Sequence, residues 1–156
     1  MEEHYNYLIE NGANRSDASE LSSLAEGRPT VAMQFFASAK RRLDFQKRAE
    51  GLLEIFESDA NARFEIVEKM LAENNSEEIL KRLDELFSVT RDSVMINLYN
   101  NQLAAHQDLL GKIEAAARKI SLPRLVSALG QIERTKDYLK QNVSPRLALE
   151  NLIINI

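Results

Sequence analysis

Few side chains in this sequence could do chemistry, and they are poorly gathered. Glu77-Glu78 and Asp84-Glu85 are the paired carboxylates that could hold a divalent cation. Both pairs lie in a segment with helical periodicity, where neighbouring carboxylates usually form a solvated face. Glu77 and Glu78 also fall in a first helical turn, where negative charge suits the helix dipole. His106 and Asp108 could serve as an acid–base pair. Two residues apart on a helix, however, they point in different directions, and surface or capping use is the plainer reading. The other histidine, His4, is far away in the chain, so a histidine-rich metal site is not expected. Lys40-Arg41-Arg42 with Lys47-Arg48 is the strongest charge feature. Such a run suits phosphate contacts, but only Phe45 is interleaved for base stacking. A charged outer face, or an intersubunit contact, is the competing reading. Arg91-Asp92 sits in the middle of an amphipathic stretch and reads as an ion pair. An inter-helix or interface role is the second reading.

Several reaction classes lack their residues altogether. There is no Cys, which removes disulfides, thiolate nucleophiles and Cys-bearing zinc sites. Gly111-Lys112 is the one Gly-Lys pair. It is followed by Ile113, and His106 stands where a phosphate-binding loop needs its first Gly. Neither Gly-x-Ser-x-Gly nor His-Glu-x-x-His occurs. No catalytic residue, cofactor, metal or small-molecule substrate is therefore expected.

The elements that must position these residues are helical. Five Gly and three Pro in 156 residues leave little room for the turns of an all-β fold. Hydrophobic residues at 44% suffice for a core, and the formal net charge of −4 argues against a generally basic nucleic-acid-binding domain. No apolar run approaches the ~20 residues of a membrane span. The acidic, polar start lacks the features of a signal peptide. A cytoplasmic protein without a membrane partner is the expectation.

Periodicity and breakers predict an all-α chain of about eight helices. The first covers about Glu2 to Asn11 and stops at Gly12. The second is capped by Ser16 or Asp17, with Glu20 completing a capping box, and ends at Gly27. Pro29 opens the third, which is one long helix or two in series, with Gly51 as the weak point. The fourth spans about Asp59 to Asn74, with Phe64, Val67 and Leu71 on one face. Ser76 caps the fifth, whose stripe is Ile79, Leu80, Leu83, Leu86, Phe87, Val94 and Leu98. A sixth covers about Gln107 to Ile120. Ser121 and Pro123 start the seventh, with Leu125, Val126, Leu129, Ile132 and Leu139 on one side. Ser144-Pro145 starts the eighth, carrying Leu147, Leu149, Leu152, Ile153 and Ile156.

Two stretches carry a family resemblance. Asn142-Val143-Ser144-Pro145-Arg146-Leu147-Ala148-Leu149-Glu150-Asn151-Leu152 resembles the closing motif of bacterial DNA polymerase III clamp-loader subunits, most closely the delta-prime branch. In that family the last helix opens with an Asn-Val-Asn/Ser-Pro-Arg-Leu segment, followed by a Leu, a Glu and an aliphatic tail. Leu147 and Leu149 are expected to fit against earlier helices, and Glu150 to need a partner. Near the other end, Ala18 to Met33 looks like the lid of an AAA+ module. Gly27 ends one lid helix there, Pro29 begins the next, and Ala32 follows in the same turn motif. Arg91-Asp92 matches an Arg-Asp often found in the middle helix of the delta-prime C-terminal domain.

The resemblance implies a short AAA+ lid bundle over residues 1–45, followed by a collar bundle over residues 46–156. A nucleotide-binding core would then lie before residue 1. The implied role is structural: the collar holds the clamp loader together, and the loader places the sliding clamp on primed DNA. Partners would be the gamma/tau and delta subunits, with Arg91, Asp92, Asn142, Pro145, Arg146, Leu147 and Glu150 as motif or interface residues. The gamma/tau subunit is the nearest alternative. ATP-hydrolysing relatives commonly carry a nucleotide-sensing Arg near the position of Thr30, and Arg28 sits two residues too early. A stand-alone nucleic-acid-binding module using Lys40 to Arg48 is the alternative from another class.

Overall fold

The computed structural model describes residues 2–25, 29–72, 75–99, 101, 104–105 and 110–156. These residues form nine α-helices and one 3₁₀ turn, and no strand occurs among them. The helices are α1 Glu2–Glu10, α2 Arg15–Leu24, α3 Pro29–Ala37, α4 Ala39–Leu53, α5 Ala60–Ala72, α6 Ser76–Asn97, α7 Leu110–Ala117, α8 Leu122–Lys140 and α9 Pro145–Asn155. The 3₁₀ turn, Glu54–Phe56, follows α4 directly. No helix among the described residues is long and apolar enough to cross a membrane.

Local chemistry sets the joints. Gly12 ends α1 at φ +94, a left-handed conformation that glycine adopts without a Cβ clash. The following amides turn back onto the helix, Gly12 N–H to the Ile9 carbonyl at 3.0 Å and Ala13 N–H to that of Leu8 at 3.0 Å. The cap of α2 is Asn14 and not Ser16 or Asp17. Its Oδ1 accepts from the Asp17 amide at 2.8 Å, which places Asp17 inside the first turn. The cap of α6 is likewise Asn75 and not Ser76, with its Oδ1 accepting from the Glu77 amide at 2.9 Å. An Asn one or two positions upstream outcompetes the hydroxyl because its side-chain oxygen reaches the exposed amides. At the start of α5, close to where a helix was expected to begin, Asp59 Oδ1 accepts from Ala62 N–H at 2.9 Å.

The predicted third helix is two helices, and the break falls at Ser38 rather than at Gly51. Gly51 stays inside α4 because Ala49, Leu52 and Leu53 around it are buried and hold the helix against its neighbours. Helix α7 ends at Ala117, three residues short of the expected Ile120, which is still buried in the turn that follows. Gly27, Asn74, His106 and Asp108 lie outside the described residues.

The apolar residues separate into cores at two ends of the chain. Leu8, Ala18, Leu21, Leu24, Ala32 and Phe35 join α1, α2 and α3. The larger core belongs to the C-terminal bundle. There α6 packs along α8, α9 lies against α8 and α5, and α4 and α7 cover the remaining side of α6. Leu83, Leu86, Leu125, Ile132 and Leu149 are fully or almost fully buried in it. Several residues expected on buried stripes sit at their edges instead. Phe64 is 39% exposed, Leu98 47%, Val126 53% and Leu147 63%. A helical stripe marks a face, but only the position of the neighbouring helix decides which rows of that face are covered.

Candidate functional site

The tail motif is built at the seam of α5, α8 and α9. Asn142 terminates α8 in a left-handed conformation, φ +60, which asparagine tolerates better than most residues. Its amide bonds to the Leu139 carbonyl at 3.1 Å, and the Val143 amide bonds to that of Tyr138 at 3.0 Å. Ser144 occupies the next cap position without a side-chain hydrogen bond, and Pro145 fills the first turn of α9. Asn142 and Pro145 thus shape a tight corner that turns α9 back along α8.

Arg146 then reaches across to α5. Its guanidinium grips both carboxylate oxygens of Glu68, one of the bonds measuring 3.1 Å, and lies 3.4 Å from Glu150 on its own helix. That contact supplies the partner Glu150 was expected to need. The hydrogen bond from Arg146 holds the Glu68 carboxyl below the usual glutamate range, and Glu68 in turn raises Arg146. Leu149 is buried, but Leu147 points outward at 63% exposure and does not join the core. That corrects the expectation for Leu147. The corner sets α9 so that Ala148, Leu149, Leu152 and Ile153 face inward, which turns Leu147 away.

The far end of α9 is clamped by two arginines that sequence reasoning did not single out. Arg63 from α5 donates to the Ile153 carbonyl at 3.2 Å. Arg124 from α8 donates through Nε to the Ile156 carbonyl at 2.8 Å. Cations here suit the carbonyl end of the helix dipole. Burial, and then the charge of Arg124, lower the Arg63 pKa from its ordinary value. No local signal marks these residues, because each comes from a different helix than the one it clamps.

Arg91 and Asp92 serve another seam. Asp92 is fully buried, and its Oδ1 accepts from the Ala105 amide at 3.0 Å, with Arg91 Nη1 at 3.8 Å from the same oxygen. The carboxylate therefore anchors the connector between α6 and α7. Ala104 and Ala105 of that connector are buried, while Tyr99 at its start is 94% exposed with φ +58. In the N-terminal bundle Pro29 opens α3 and Ala32 is buried.

The remaining candidates resolve into ion pairs. Lys81 lies 3.3 Å from Glu77 and 2.8 Å from Glu78. Asp84 binds Lys136 at 2.8 Å, and Glu85 takes Arg48 at 2.9 Å. Lys136 also sits 5.3 Å over the Phe87 ring, tying α8 to α6. Burial opposes its charge, but the hydrogen bonds to Asp84 and Glu133 outweigh that and raise its pKa. The basic run on α4 is split: Lys40 and Lys47 are exposed, while Arg48 turns inward to Glu85. The side chains of Arg41, Arg42 and Phe45 lie outside the described set, as does that of His4. Among the described residues no group of three acidic or histidine side chains could hold a metal ion. A shallow groove of about 640 Å³ runs along α5 over Phe64, Glu65, Glu68 and Ala72.

Residues 43–156 match the family described as DNA polymerase III, delta subunit, C terminal. No curated protein and no solved structure matches the chain. The matched region runs from within α4 to the end of α9, so it takes in the C-terminal core, the Asp92 anchor and the whole tail motif. The family description names the delta subunit, where the tail motif resembles delta-prime. With most of its length inside the match, the chain belongs to the clamp-loader family defined by the C-terminal domain of DNA polymerase III delta.

Proposed function

We propose that this chain is a non-catalytic assembly part of a DNA polymerase III clamp loader, acting in the cytoplasm. In this reading residues 46–156, from within α4 to α9, form its collar, and residues 1–45 form an AAA+ lid. The collar packs beside those of other subunits, gamma/tau and delta, and the assembled loader places the sliding clamp on primed DNA with ATP bound elsewhere. The family match over residues 43–156 carries this reading. The bundle's character supports it: the polar groups of the tail are spent on tying helices together, as a scaffold requires. A division inside α4 is supported by the separation of the two sets of core residues.

Within the loader we assign the delta-prime position. The segment Asn142 to Leu147 and the Thr30 position support it. Delta, which the family description names, is the competing assignment. Mixing the chain with gamma/tau-type and delta-type subunits on a sizing column tests both levels. Co-elution with both partners at once is expected for delta-prime. Displacement of delta from a preformed loader would transfer the chain to delta. Failure to co-elute with any clamp-loader partner would overturn the reading.

A further inference from the structure

Of the chain's asparagines, Asn11 alone is followed by glycine. That pairing carries a reaction of its own. The amide nitrogen of the following residue can attack the asparagine Cγ, and glycine has no side chain to obstruct it. A bond forms between the Gly12 nitrogen and Cγ. The Cγ–Nδ2 bond breaks, and ammonia leaves with the proton of the Gly12 amide. Water then opens the cyclic imide. Hydrolysis at Cγ leaves aspartate at residue 11. Hydrolysis at the backbone carbonyl leaves isoaspartate, with the chain running through the side chain. Water is the only co-reactant.

The folded chain opposes this chemistry. Asn11 and Gly12 are both exposed, so water reaches them. Both reacting groups, however, are tied to the last turn of α1. The Gly12 N–H donates to the Ile9 carbonyl at 3.0 Å, and Asn11 Nδ2 donates to the Tyr7 carbonyl at 2.8 Å. The same Tyr7 carbonyl takes the Asn11 backbone N–H at 3.2 Å. Attack requires the Gly12 amide to leave Ile9 and the Asn11 side chain to swing off Tyr7. The end of α1 must therefore open first.

The product tips the balance the other way. Aspartate at residue 11 lacks the Nδ2 donor and sets a carboxylate against the Tyr7 carbonyl, at the negative end of the helix dipole. Glu10 lies beside it, and the last turn of α1 holds no basic residue to offset either charge. Isoaspartate lengthens the backbone between Leu8 and Ala13, whose capping bond of 3.0 Å then loses its register. Leu8 in this turn is fully buried in the N-terminal core, so the turn and the docking of α1 are coupled.

We infer that Asn11-Gly12 is a self-modification site held in check by the C-terminal cap of α1: it deamidates when that turn opens, and the acidic product keeps the turn open. The N-terminal bundle thereby carries a one-way record of how often α1 has come loose.

The test incubates the full chain at mildly alkaline pH, folded and in guanidinium chloride. Peptide mass spectrometry follows each asparagine, with aspartate and isoaspartate peptides separated by chromatography. Asn11 is expected to convert first in both conditions, and at least about tenfold more slowly in the folded chain. Leu8→Ala loosens α1 without touching the reacting pair, and should bring the folded rate toward the denatured one. Asn11→Gln should abolish the early conversion. Asn11→Asp should speed amide hydrogen exchange in residues 5–10 and leave α6 and α8 as in wild type. Another asparagine converting while Asn11 stays intact overturns the site. Equal wild-type rates in the two conditions overturn the restraint by the cap. Should Leu8→Ala unfold the N-terminal bundle, that wild-type comparison decides. Wild-type exchange in Asn11→Asp overturns the claim that the product holds the turn open.

Discussion

Asp92 shows how one residue can be legible in type and not in role. Its neighbour Arg91 made an ion pair the natural reading, yet the shorter contact of its Oδ1 is to the Ala105 amide, thirteen residues away. Removing the acceptor leaves a buried N–H without its partner. Asp92→Ala is therefore expected to lose about 1–3 kcal/mol in urea unfolding, and Asp92→Asn, which keeps an oxygen acceptor, clearly less. Glu68 offers a different readout. Its folded pKa is depressed by Arg146, so its contribution is present above the unfolded value and is lost as pH falls through the folded one. A carboxyl NMR titration should place the Glu68 midpoint below the ordinary glutamate range. In Arg146→Gln that midpoint should return upward; an unchanged midpoint would show that the contact does not persist in solution.

Among the elements, α9 is the one where motif and packing part company. Leu147 and Leu149 are two residues apart in the same motif, yet one is 63% exposed and the other 1%. Leu149→Ala should cost about 2–5 kcal/mol by denaturant unfolding, from lost burial and a residual cavity. Leu147→Ala should stay within about 0.5 kcal/mol, as for other surface changes. Equal losses would mean that Leu147 is packed after all. Helix starts make a similar contrast. Asn75→Ala should destabilise by roughly 0.5–2 kcal/mol, and Ser76→Ala by less, because Asn75 holds the first-turn amide of α6. The sequence pointed to a cap at this boundary and missed its residue by one. Ser, Asn and Asp are close in capping preference, and the chain's path selects among them.

For the whole molecule, the separation of the cores matters most. Leu21 belongs to the α1–α3 core and Leu125 to the C-terminal one, and each is fully buried. Local opening should follow this division. Leu21→Ala is expected to speed amide hydrogen exchange in residues 5–25 and 29–36 while leaving α6 and α8 protected. Leu125→Ala should do the reverse. Loss of protection throughout the chain in both variants would show one cooperative unit.

The all-α class and most helix joints follow from local rules, which is why composition and spacing revealed them. Gly12, Pro29, Pro123 and Pro145 act through their own backbone and need no distant partner. The tail motif was legible for the same reason at its corner, where Asn142 and Pro145 make a turn between adjacent helices. What the tertiary structure alone decided are contacts across sequence distance. Arg48 meets Glu85 over 37 residues, Arg146 meets Glu68 over 78, and Arg63 meets the Ile153 carbonyl over 90. Each depends on which helices lie side by side. The same packing decides that Leu149 is covered while Leu147 stays exposed. Periodicity marks the face of a helix, but exposure belongs to the pair of surfaces that meet there.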